Sequence, residues 1–365
     1  MDKARALVLE KPRTLSLRTF ELPEIHDDDA LLRIEACGLC GTDHEQYTGA
    51  IPSGFEFVPG HESVGILEEI GPNAAKNWGV GQGDRVAVEV FQSCHQCPNC
   101  TSGNYRQCSI HGIGDMYGFI PVSKEPSLWG GYASHQYLSP DSIVHKVPDG
   151  LDPVVATLFN PLGAGIRWGS TIPQVAPGEI VVILGPGIRG ICAVVAAKLA
   201  GASFIAITGK GPRDKSRLDT ASRFGADLAI DIDEIDPDKA LTSACGTLAD
   251  VVVNVTAKAP SAIGQAIKLV RPGGRIVMAG TSGSPETPGL WPDLIVYKEI
   301  TIFGALGVDS VSYRKALEIL ADQSFPFQEL DRKTAQLESA GNLILEMAGE
   351  TGSTPPIHGV LLPHL

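Results

Sequence analysis

The residues of this chain with the clearest chemical potential are a thiol, an imidazole and a carboxylate that lie close together. Cys40 lies in the stretch Gly38–Asp43, and the pair His61 and Glu62 follows a Pro-Gly dipeptide. Zinc binds all three donor types, and a site with three protein ligands leaves a fourth position open for a substrate. We predict that Cys40 and His61 bind a catalytic zinc ion and that Glu62 is a third ligand or a close neighbour of the metal. Taken singly, the cysteine would indicate a small core residue and the histidine a buried, hydrogen-bonded side chain.

Three residues that follow Cys40 are candidates for supporting this site. Asp43 can accept a hydrogen bond from the second ring nitrogen of His61, as metal-bound histidines usually require, or it can cap a helix. Thr42 can carry the proton of an alcohol away from the metal, or its hydroxyl can cap the same helix. His44 can extend this relay towards solvent, or it can be an exposed loop residue. The sequence leaves both alternatives open for each of the three.

Four cysteines form a second cluster with the spacing C-x2-C-x2-C-x7-C. Four thiolates complete a tetrahedral shell without an open position, so the cluster predicts a structural zinc ion. Two disulfides are one alternative, and an iron–sulfur cluster is another, although its spacing matches only in the first part. The nearby His95 and His111 are interpreted as loop residues because four sulfurs suffice. The predicted ligands are Cys94, Cys97, Cys100 and Cys108.

A glycine-rich turn later in the chain has the pattern G-x-G-x-x-G. It directly follows the apolar run Glu179–Leu184 and opens an alanine-rich helical pattern, which is the context of a dinucleotide-binding loop. Glycines allow a tight turn in which a pyrophosphate approaches the N-terminus of the helix. The alternative is a glycine-rich turn without a ligand. The predicted cofactor-binding residues of this loop are Gly185, Gly187, Ile188, Arg189 and Gly190.

The end of the next apolar run, Phe204–Thr208, bears on the choice between NAD and NADP. NAD-dependent proteins usually place an acid here, which binds the ribose 2′-hydroxyl group. This chain has Gly209 at that position with Lys210 and Arg213 nearby, and two cations can bind a 2′-phosphate. We therefore lean slightly to NADP as the cofactor. Two alternatives remain: Asp214 reaches the ribose, or the segment is a solvated charged turn.

The composition is that of a globular protein with more than one domain. The chain has 365 residues, of which 43% are hydrophobic and 19% are charged. Its formal net charge of −13, without a long basic run, argues against nucleic acid and anionic membrane surfaces as partners. No apolar stretch is long enough for a membrane span, and Met1–Arg5 lacks the apolar core of a signal peptide. Because the cysteines are arranged for metal binding, we expect a reducing, cytoplasmic location.

The spacing of apolar residues divides the chain into three parts. Residues 1–155 alternate apolar and polar positions between Gly and Pro turns, which predicts an irregular β-rich domain. Residues 156–305 alternate short apolar runs with helical patterns, which predicts a parallel sheet covered by helices on both faces. Residues 306–365 contain one helical pattern, near 311–322, and a last strand at 359–362, and we expect them to rejoin the first domain. The predicted fold class is α/β.

Taken together, the motifs resemble those of the zinc-dependent medium-chain alcohol dehydrogenase family, over essentially the whole chain. The resemblance rests on the cysteine quartet and on G-L-C-G-T-D at 38–43, P-G-H-E at 59–62, G-D-R-V at 83–86 and G-P-G-I-R-G at 185–190. It implies a GroES-like catalytic domain, a Rossmann doubly wound cofactor domain and an active site between them. It also implies oxidation of an alcohol to a carbonyl with hydride transfer to NAD(P)+. Homodimers or homotetramers are usual in the family, often joined through the edge of the cofactor sheet, which Ile300–Gly304 would form here.

Two residues depart from the patterns of this family. Asn160 stands where polyol dehydrogenases have a glutamate before Pro-Leu. An amide is a weak, neutral zinc ligand, so water or Glu62 would complete the metal shell. Glu45 stands where many members have a relay histidine, which places the proton relay beyond Thr42 in doubt.

The first substrate class that we predict is an apolar cyclic or aromatic secondary alcohol, oxidised to its ketone. The segment Phe159–Gly165, followed by Arg167 and Trp168, resembles bacterial dehydrogenases of cyclic terpene alcohols, of the hydroxycamphor type. A sugar or polyol is the alternative substrate, and a non-catalytic nucleotide-binding protein is the alternative from another functional class. Three aromatic side chains either line the substrate pocket or pack in the core: Phe57, Trp129 and Phe159.

Overall fold

The computed structural model describes residues 3–51 and 54–364. The β-strands are β1 (Lys3–Lys11), β2 (Thr14–Glu21), β3 (Ala30–Leu39), β4 (Glu62–Ile70), β5 (Arg85–Val88), β6 (His135–Leu138), β7 (Val144–Lys146), β8 (Ile180–Leu184), β9 (Phe204–Gly209), β10 (Leu228–Asp231), β11 (Ala249–Asn254), β12 (Val270–Met278), β13 (Thr301–Gly304), β14 (Arg332–Ala335) and β15 (His358–Leu361). The α-helices are α1 (Gly41–Thr48), α2 (Pro72–Trp78), α3 (Pro98–Thr101), α4 (Pro153–Ala156), α5 (Phe159–Ile166), α6 (Ile188–Leu199), α7 (Gly211–Arg223), α8 (Pro237–Cys245), α9 (Ala262–Leu269), α10 (Asp293–Tyr297), α11 (Ser310–Asp322) and α12 (Ala340–Met347). A π-helical turn, Arg167–Thr171, follows α5. Among the described residues, no helix has the length and apolar character needed to cross a membrane.

Within the described residues the chain divides into two compact units. The first unit runs to Asn160 and resumes at Asp309, and the second is Pro161–Val308. In the first unit, one sheet has the strand order β14-β15-β3-β4-β5-β7, with β6 also paired to β3, and β1 and β2 form a separate hairpin. Its buried core includes Leu32, Ile34 and Leu67 from the two central strands β3 and β4. The C-terminal strands thus join this sheet through the pairing of β15 with β3.

The second unit is built on a sheet of six parallel strands in the order β10-β9-β8-β11-β12-β13. In its central strands, Val181–Leu184 and Val251–Val253 are completely buried. Continuous valine and isoleucine runs are expected when helices cover both faces of a sheet, and each such buried side chain contributes about 1.5–3 kcal/mol. The predicted fold class is confirmed, and the predicted strand at Ile300–Gly304 is the edge strand β13.

The C-terminal segment holds more regular structure than the single helix that the sequence predicts. The helix α11 forms as expected, but α12 and β14 form as well. The eight-residue α12 is too short to be stable alone, and it forms because Leu343 and Ile344 are buried in the core. The polar strand β14 forms because it pairs in parallel with β15. The prediction of one helix after residue 306 was therefore wrong.

Candidate active site and nucleotide loop

The pairing of β3 with β4 brings the three predicted zinc ligands together. Gly38 and Glu62 are partners in the antiparallel register, Cys40 follows the end of β3, and His61 directly precedes β4. Cys40 Sγ lies 3.2 Å from His61 Nε2. One donor atom from each of Cys40, His61 and Glu62 lies within 4.8 Å of the others, and all three residues are buried. A thiol, an imidazole and a carboxylate at this spacing fit a zinc ion, with Nε2 as the ring nitrogen that faces the thiol.

Asp43 both caps α1 and faces His61. Its Oδ2 accepts a hydrogen bond of 2.8 Å from the Cys40 N–H. Its Oδ1 lies 3.9 Å from His61 Nδ1, and neither of these two buried atoms has a hydrogen-bond partner among the described residues. A metal-bound histidine usually donates its second N–H to a carboxylate, and a buried polar atom without a partner is costly. The two alternatives for Asp43 are therefore compatible, because one oxygen serves the helix and the other faces the ring.

Tyr132 belongs to the same cluster, although no sequence motif indicates it. Its buried hydroxyl has no hydrogen-bond partner among the described residues. Burial and the neighbouring Asp43 carboxylate raise the pKa of Tyr132 well above its usual value, so the phenol stays protonated. A Cβ atom at Gly60 would lie 2.5 Å from Tyr132 Cδ1, and Gly60 has a φ of 92°. Packing and backbone conformation both explain the glycine that precedes His61.

The residues predicted to carry the proton lie on α1. Thr42 is half-buried in the first turn, and its N–H donates to Cys40 Sγ at 3.3 Å. His44 Nε2 lies 2.6 Å from Glu350 Oε1, and Arg13 pairs with the same carboxylate at 2.9 Å. Arg13 and His44 lower the pKa of Glu350. The alternative of an exposed loop residue was wrong for His44, which lies on a helix with 17% of its side chain exposed, and its part in the relay stays a prediction.

A buried histidine that the sequence did not indicate lies at the start of β15, which pairs with β3. A Cβ atom at Gly38 would lie 3.2 Å from Glu62 Cβ and 3.3 Å from Thr157 Cβ, so a side chain there would crowd both residues. Thr157 Oγ1 lies 3.1 Å from His358 Nε2, and Arg332 Nε donates to His358 Nδ1 at 2.9 Å. Burial and Arg332 lower the pKa of His358 to about 3, so its ring is neutral at physiological pH. Thr157 and His358 are 201 residues apart in the sequence, so no short motif could indicate that they are in contact.

The four cysteines of the second cluster place their sulfurs within 4.8 Å of one another. Cys97 is the N-cap of α3 and Cys100 lies on that helix. The sulfurs of Cys94 and Cys100 are 3.7 Å apart, and none of the described cysteines forms a disulfide. The backbone N–H groups of Ser109 and Cys100 lower the pKa of Cys97 to about 5, which favours the thiolate that a metal requires. The donor set fits a closed tetrahedral zinc site.

The two histidines near this cluster lie in loops, outside the predicted ligand set. The ring nitrogens of His111 bond to the carboxylates of Asp115, at 3.1 Å, and Asp141, at 2.6 Å. His95 is exposed in the loop between Cys94 and Cys97. Their interpretation as loop residues is confirmed.

The predicted nucleotide loop joins β8 to α6. Gly185 has a φ of 103°, and a Cβ atom at Gly190 would collide with the Gly185 carbonyl oxygen, so the turn requires glycine at both positions. Gly187 is the N-cap of α6, and Ile188 and Arg189 begin its first turn. Apart from its two chain neighbours, no atom of the described residues lies within 4 Å of the place that a Cβ of Gly187 would take. The turn therefore leaves space at the N-terminus of a 12-residue helix, which fits a pyrophosphate.

The second predicted cofactor segment connects β9 to α7. Gly209 ends the strand and Lys210 is the N-cap of the helix. Asp214 Oδ2 accepts from the Lys210 N–H at 2.9 Å, and Asp214 Oδ1 lies 3.5 Å from Arg217 Nη1. Both oxygens of Asp214 thus interact with groups at the start of α7. The side chains of Lys210 and Arg213 are exposed. The geometry disfavours Asp214 as the ribose ligand.

Comparison with known proteins identifies the family of this chain. Residues 26–149 match the alcohol dehydrogenase GroES-like domain, and residues 190–322 match the zinc-binding dehydrogenase domain. The chain belongs to the zinc-dependent medium-chain alcohol dehydrogenase family. This dehydrogenase is 61% identical over 360 residues to a probable alcohol dehydrogenase of Mycobacterium tuberculosis, with 98% of each chain covered. The predicted family and its enzymatic activity are confirmed, so the non-catalytic alternative is not supported.

Two further relatives show how broad the likeness is. The dehydrogenase is 31% identical over 340 residues to the erythritol/L-threitol dehydrogenase of Mycolicibacterium smegmatis, with 90% of each chain covered. The crystal structure of an alcohol dehydrogenase from Thermotoga maritima matches it with a TM-score of 0.87 and 26% identity, covering 100% of both chains. Proteins that are named for different substrates thus share the family and the fold of this chain.

One aromatic side chain beside the predicted metal site of this dehydrogenase was missed in the sequence. The ring centroid of Phe119 lies 6.2 Å from that of His61. The same ring is stacked on Phe57, with centroids 6.4 Å apart and planes within 2°. Phe119 is partly exposed, whereas Phe57 is completely buried. No sequence pattern indicates Phe119, because its contact with His61 is created by the tertiary structure.

The three aromatic residues that the sequence singled out are buried in the dehydrogenase. Trp129 is 4% exposed, and its indole N–H donates to the carbonyl of Lys124 at 2.7 Å. Phe159 is completely buried and packs on Tyr313 with ring centroids 5.2 Å apart. Their observed role, like that of Phe57, is core packing. Asn160, next to Phe159, is 3% exposed on α5, and its place in the metal shell stays a prediction.

Proposed function

We propose that this dehydrogenase oxidises an apolar secondary alcohol, cyclic or aromatic, to its ketone with hydride transfer to NAD(P)+. The observation that carries the substrate class is the position of Phe119. Its partly exposed ring lies beside His61 and is backed by the buried ring of Phe57. We call these two rings the apolar wall. It favours a hydrocarbon ring over a hydrated polyol, because binding then removes apolar surface of both the substrate and the protein from water.

The residues of the first unit divide the work of this reaction. Cys40, His61 and Glu62 would hold the catalytic zinc ion, which when bound supplies a Lewis acid that lowers the pKa of an alcohol hydroxyl. Asp43 Oδ1 faces His61 Nδ1 at 3.9 Å, so a small approach would let it accept the Nδ1–H and hold the ring with Nε2 directed at the metal. The Thr42 hydroxyl accepts the proton of the substrate hydroxyl group and releases its own proton towards solvent. The substrate carbon gives up its hydrogen with the bonding electron pair, and the C–O bond becomes a carbonyl.

The remaining parts of the proposal concern cofactors and assembly. We propose two zinc ions per chain, because the described residues form two suitable donor sets. NADP+ is the preferred cofactor, supported by the exposed cations Lys210 and Arg213. A homodimer or homotetramer is joined through the exposed edge strand β13. A cytoplasmic location is supported by the cysteines, since none of those in the described part of the chain forms a disulfide.

A polyol dehydrogenase is the second candidate function. The relative from Mycolicibacterium smegmatis is named for erythritol and L-threitol, and it matches 90% of this chain. The segment Asn160-Pro161-Leu162 also resembles the Glu-Pro-Leu segment of polyol enzymes. A panel of borneol-like, benzylic, short aliphatic and polyol substrates, each with NAD+ and NADP+, tests both candidates by absorbance of the reduced cofactor. Activity on borneol-like or benzylic alcohols is expected, whereas activity on sorbitol alone would support the second candidate.

Replacing Phe119 by serine tests the apolar wall. We expect the KM for a cyclic alcohol to rise about tenfold or more, since a pocket loses 1–3 kcal/mol for each missing contact of this kind. The KM for a short aliphatic alcohol should change less. Phe119→Leu is the matched control, because it keeps an apolar side chain and should retain most of the affinity. Equal kinetic losses on cyclic and short alcohols would contradict the assignment of Phe119 to the substrate wall.

Replacing Lys210 and Arg213 together by alanine tests the preference for NADP+. We expect the KM for NADP+ to rise about tenfold or more, and the KM for NAD+ to stay within about twofold, because only a 2′-phosphate needs the two cations. Lys215→Ala, which removes another exposed cation from α7, is the control. A parallel change for both cofactors would show that these side chains do not bind the ribose phosphate.

Replacing Gly209 by aspartate approaches the same question from the opposite side. A carboxylate here should shift the preference towards NAD+, provided that the strand end tolerates a side chain. A Cβ atom at Gly209 would lie 3.0 Å from Asp214 Cβ and from Pro186 Cγ, so these neighbours must move by a few tenths of an ångström. Gly209→Ala therefore measures the packing cost separately. An unchanged cofactor ratio in a folded Gly209→Asp variant would count against the role of this segment.

A further inference from the structure

The turn of π-helix that follows α5 holds a tryptophan against the nucleotide loop. Trp168, on the turn Arg167–Thr171, is 4% exposed, and its indole N–H donates to the Gly307 carbonyl at 3.0 Å. The next residue, Gly169, packs on α6, because a Cβ atom there would lie 3.0 Å from Ala193 Cβ. Short π-helical turns are rare and often occur at functional sites. The turn thus fixes the indole beside the N-terminal half of α6.

The indole carries the side chain of Arg189 on its face. The Arg189 Cζ lies 5.2 Å from the Trp168 ring centroid, within the range of a cation–π contact. Arg189 lies in the first turn of α6. A helix N-terminus has a partial positive charge, which disfavours a cation and favours an anion. An arginine in this first turn would meet an anionic ligand at the helix N-terminus with a full positive charge, and the indole supports its side chain.

We propose that Arg189, held on Trp168, binds the pyrophosphate of the dinucleotide with its side chain and so positions the cofactor. A guanidinium is planar, and its N–H groups match pairs of phosphate oxygens. The glycines of the loop offer backbone N–H groups to the same pyrophosphate, and Arg189 adds a charge to them. This inference rests on the proposed nucleotide-dependent function and adds a specific side-chain contact to it.

Calorimetric titration of the zinc-loaded protein with ADP tests the contact without turnover. ADP carries a diphosphate, and adenosine carries none. We expect Arg189→Met to weaken ADP binding about tenfold or more, since a charge-assisted phosphate contact is lost, and to leave adenosine binding within about twofold. Increasing salt should weaken ADP binding more steeply in the wild type than in the variant. Lys198→Met, at the other end of α6, is the matched control and should bind ADP like the wild type.

Variants of the supporting ring separate positioning from packing. Trp168→Leu should weaken ADP binding several-fold, and Trp168→Phe, which keeps an aromatic face, should weaken it less. Arg189→Lys keeps the charge but loses the planar guanidinium, so we expect an intermediate ADP affinity. This variant provides a second measurement if Arg189→Met does not fold. An Arg189→Met protein with a lower Tm and unchanged ADP affinity would overturn the inference. A wild-type protein that binds neither ADP nor NAD(P)+ would overturn the proposed function as well.

Discussion

Turnover should fall by about a thousandfold or more when Cys40 is replaced by serine. The sulfur of Cys40 lies 3.2 Å from His61 Nε2, so serine removes the thiol donor of the predicted catalytic zinc site. Loss of a Lewis acid forfeits several kcal/mol of stabilisation in the transition state, and each 1.36 kcal/mol is a factor of ten. The fold should persist, because serine can still accept the Thr42 N–H at the N-terminus of α1.

The measurements for this variant are steady-state kinetics, metal analysis and circular dichroism. We expect the purified variant to lose one zinc ion per chain and to keep its spectrum. Cys245→Ser is the matched control, because Cys245 lies outside both groups of predicted metal ligands. A Cys40→Ser protein with wild-type turnover would refute the catalytic zinc site. Full activity of the wild-type protein after removal of its zinc would refute it as well.

Replacing Cys100 by serine should lower stability far more than turnover. Its sulfur is one of four within 4.8 Å of one another, so the variant lacks one side of the closed metal shell. Structural zinc contributes several kcal/mol to folding, and each kcal/mol shifts the Tm of a large domain by roughly 2–4 °C, so a decrease of about 10 °C is expected. At a temperature where the variant is folded, kcat should stay within about threefold, since no residue in contact with substrate changes.

Thermal unfolding with and without added zinc measures this effect. His95→Ala, an exposed change in the same loop, is the control and should leave the Tm unchanged. Zinc that binds the four-cysteine site should raise the Tm of the wild type. Cys100→Ser lacks one ligand of this site, so added zinc should not raise its Tm through the site. A Cys100→Ser protein with a normal Tm and no turnover would exchange the roles of the two metal sites.

The sequence by itself predicted the elements of this protein whose physics is local. The G-x-G-x-x-G turn and the valine-rich strands β8 and β11 depend on backbone freedom and on burial over a few neighbouring residues. The cysteine quartet is also local, because its ligands lie within one loop and one short helix. The meeting of Cys40 and His61 is not local in this sense, because it depends on the antiparallel pairing of β3 with β4.

Only the tertiary structure decided which side chains surround these motifs. Phe119, Tyr132 and His358 carry no distinguishing sequence pattern, and each acquires its role through a contact with a distant segment. The strand β14 and the helix α12 have weak local preference and form because a neighbour pairs with them or the core covers them. Local propensity is worth tenths of a kcal/mol per residue, whereas burial of one apolar side chain is worth about 1.5–3 kcal/mol, so packing determines such segments.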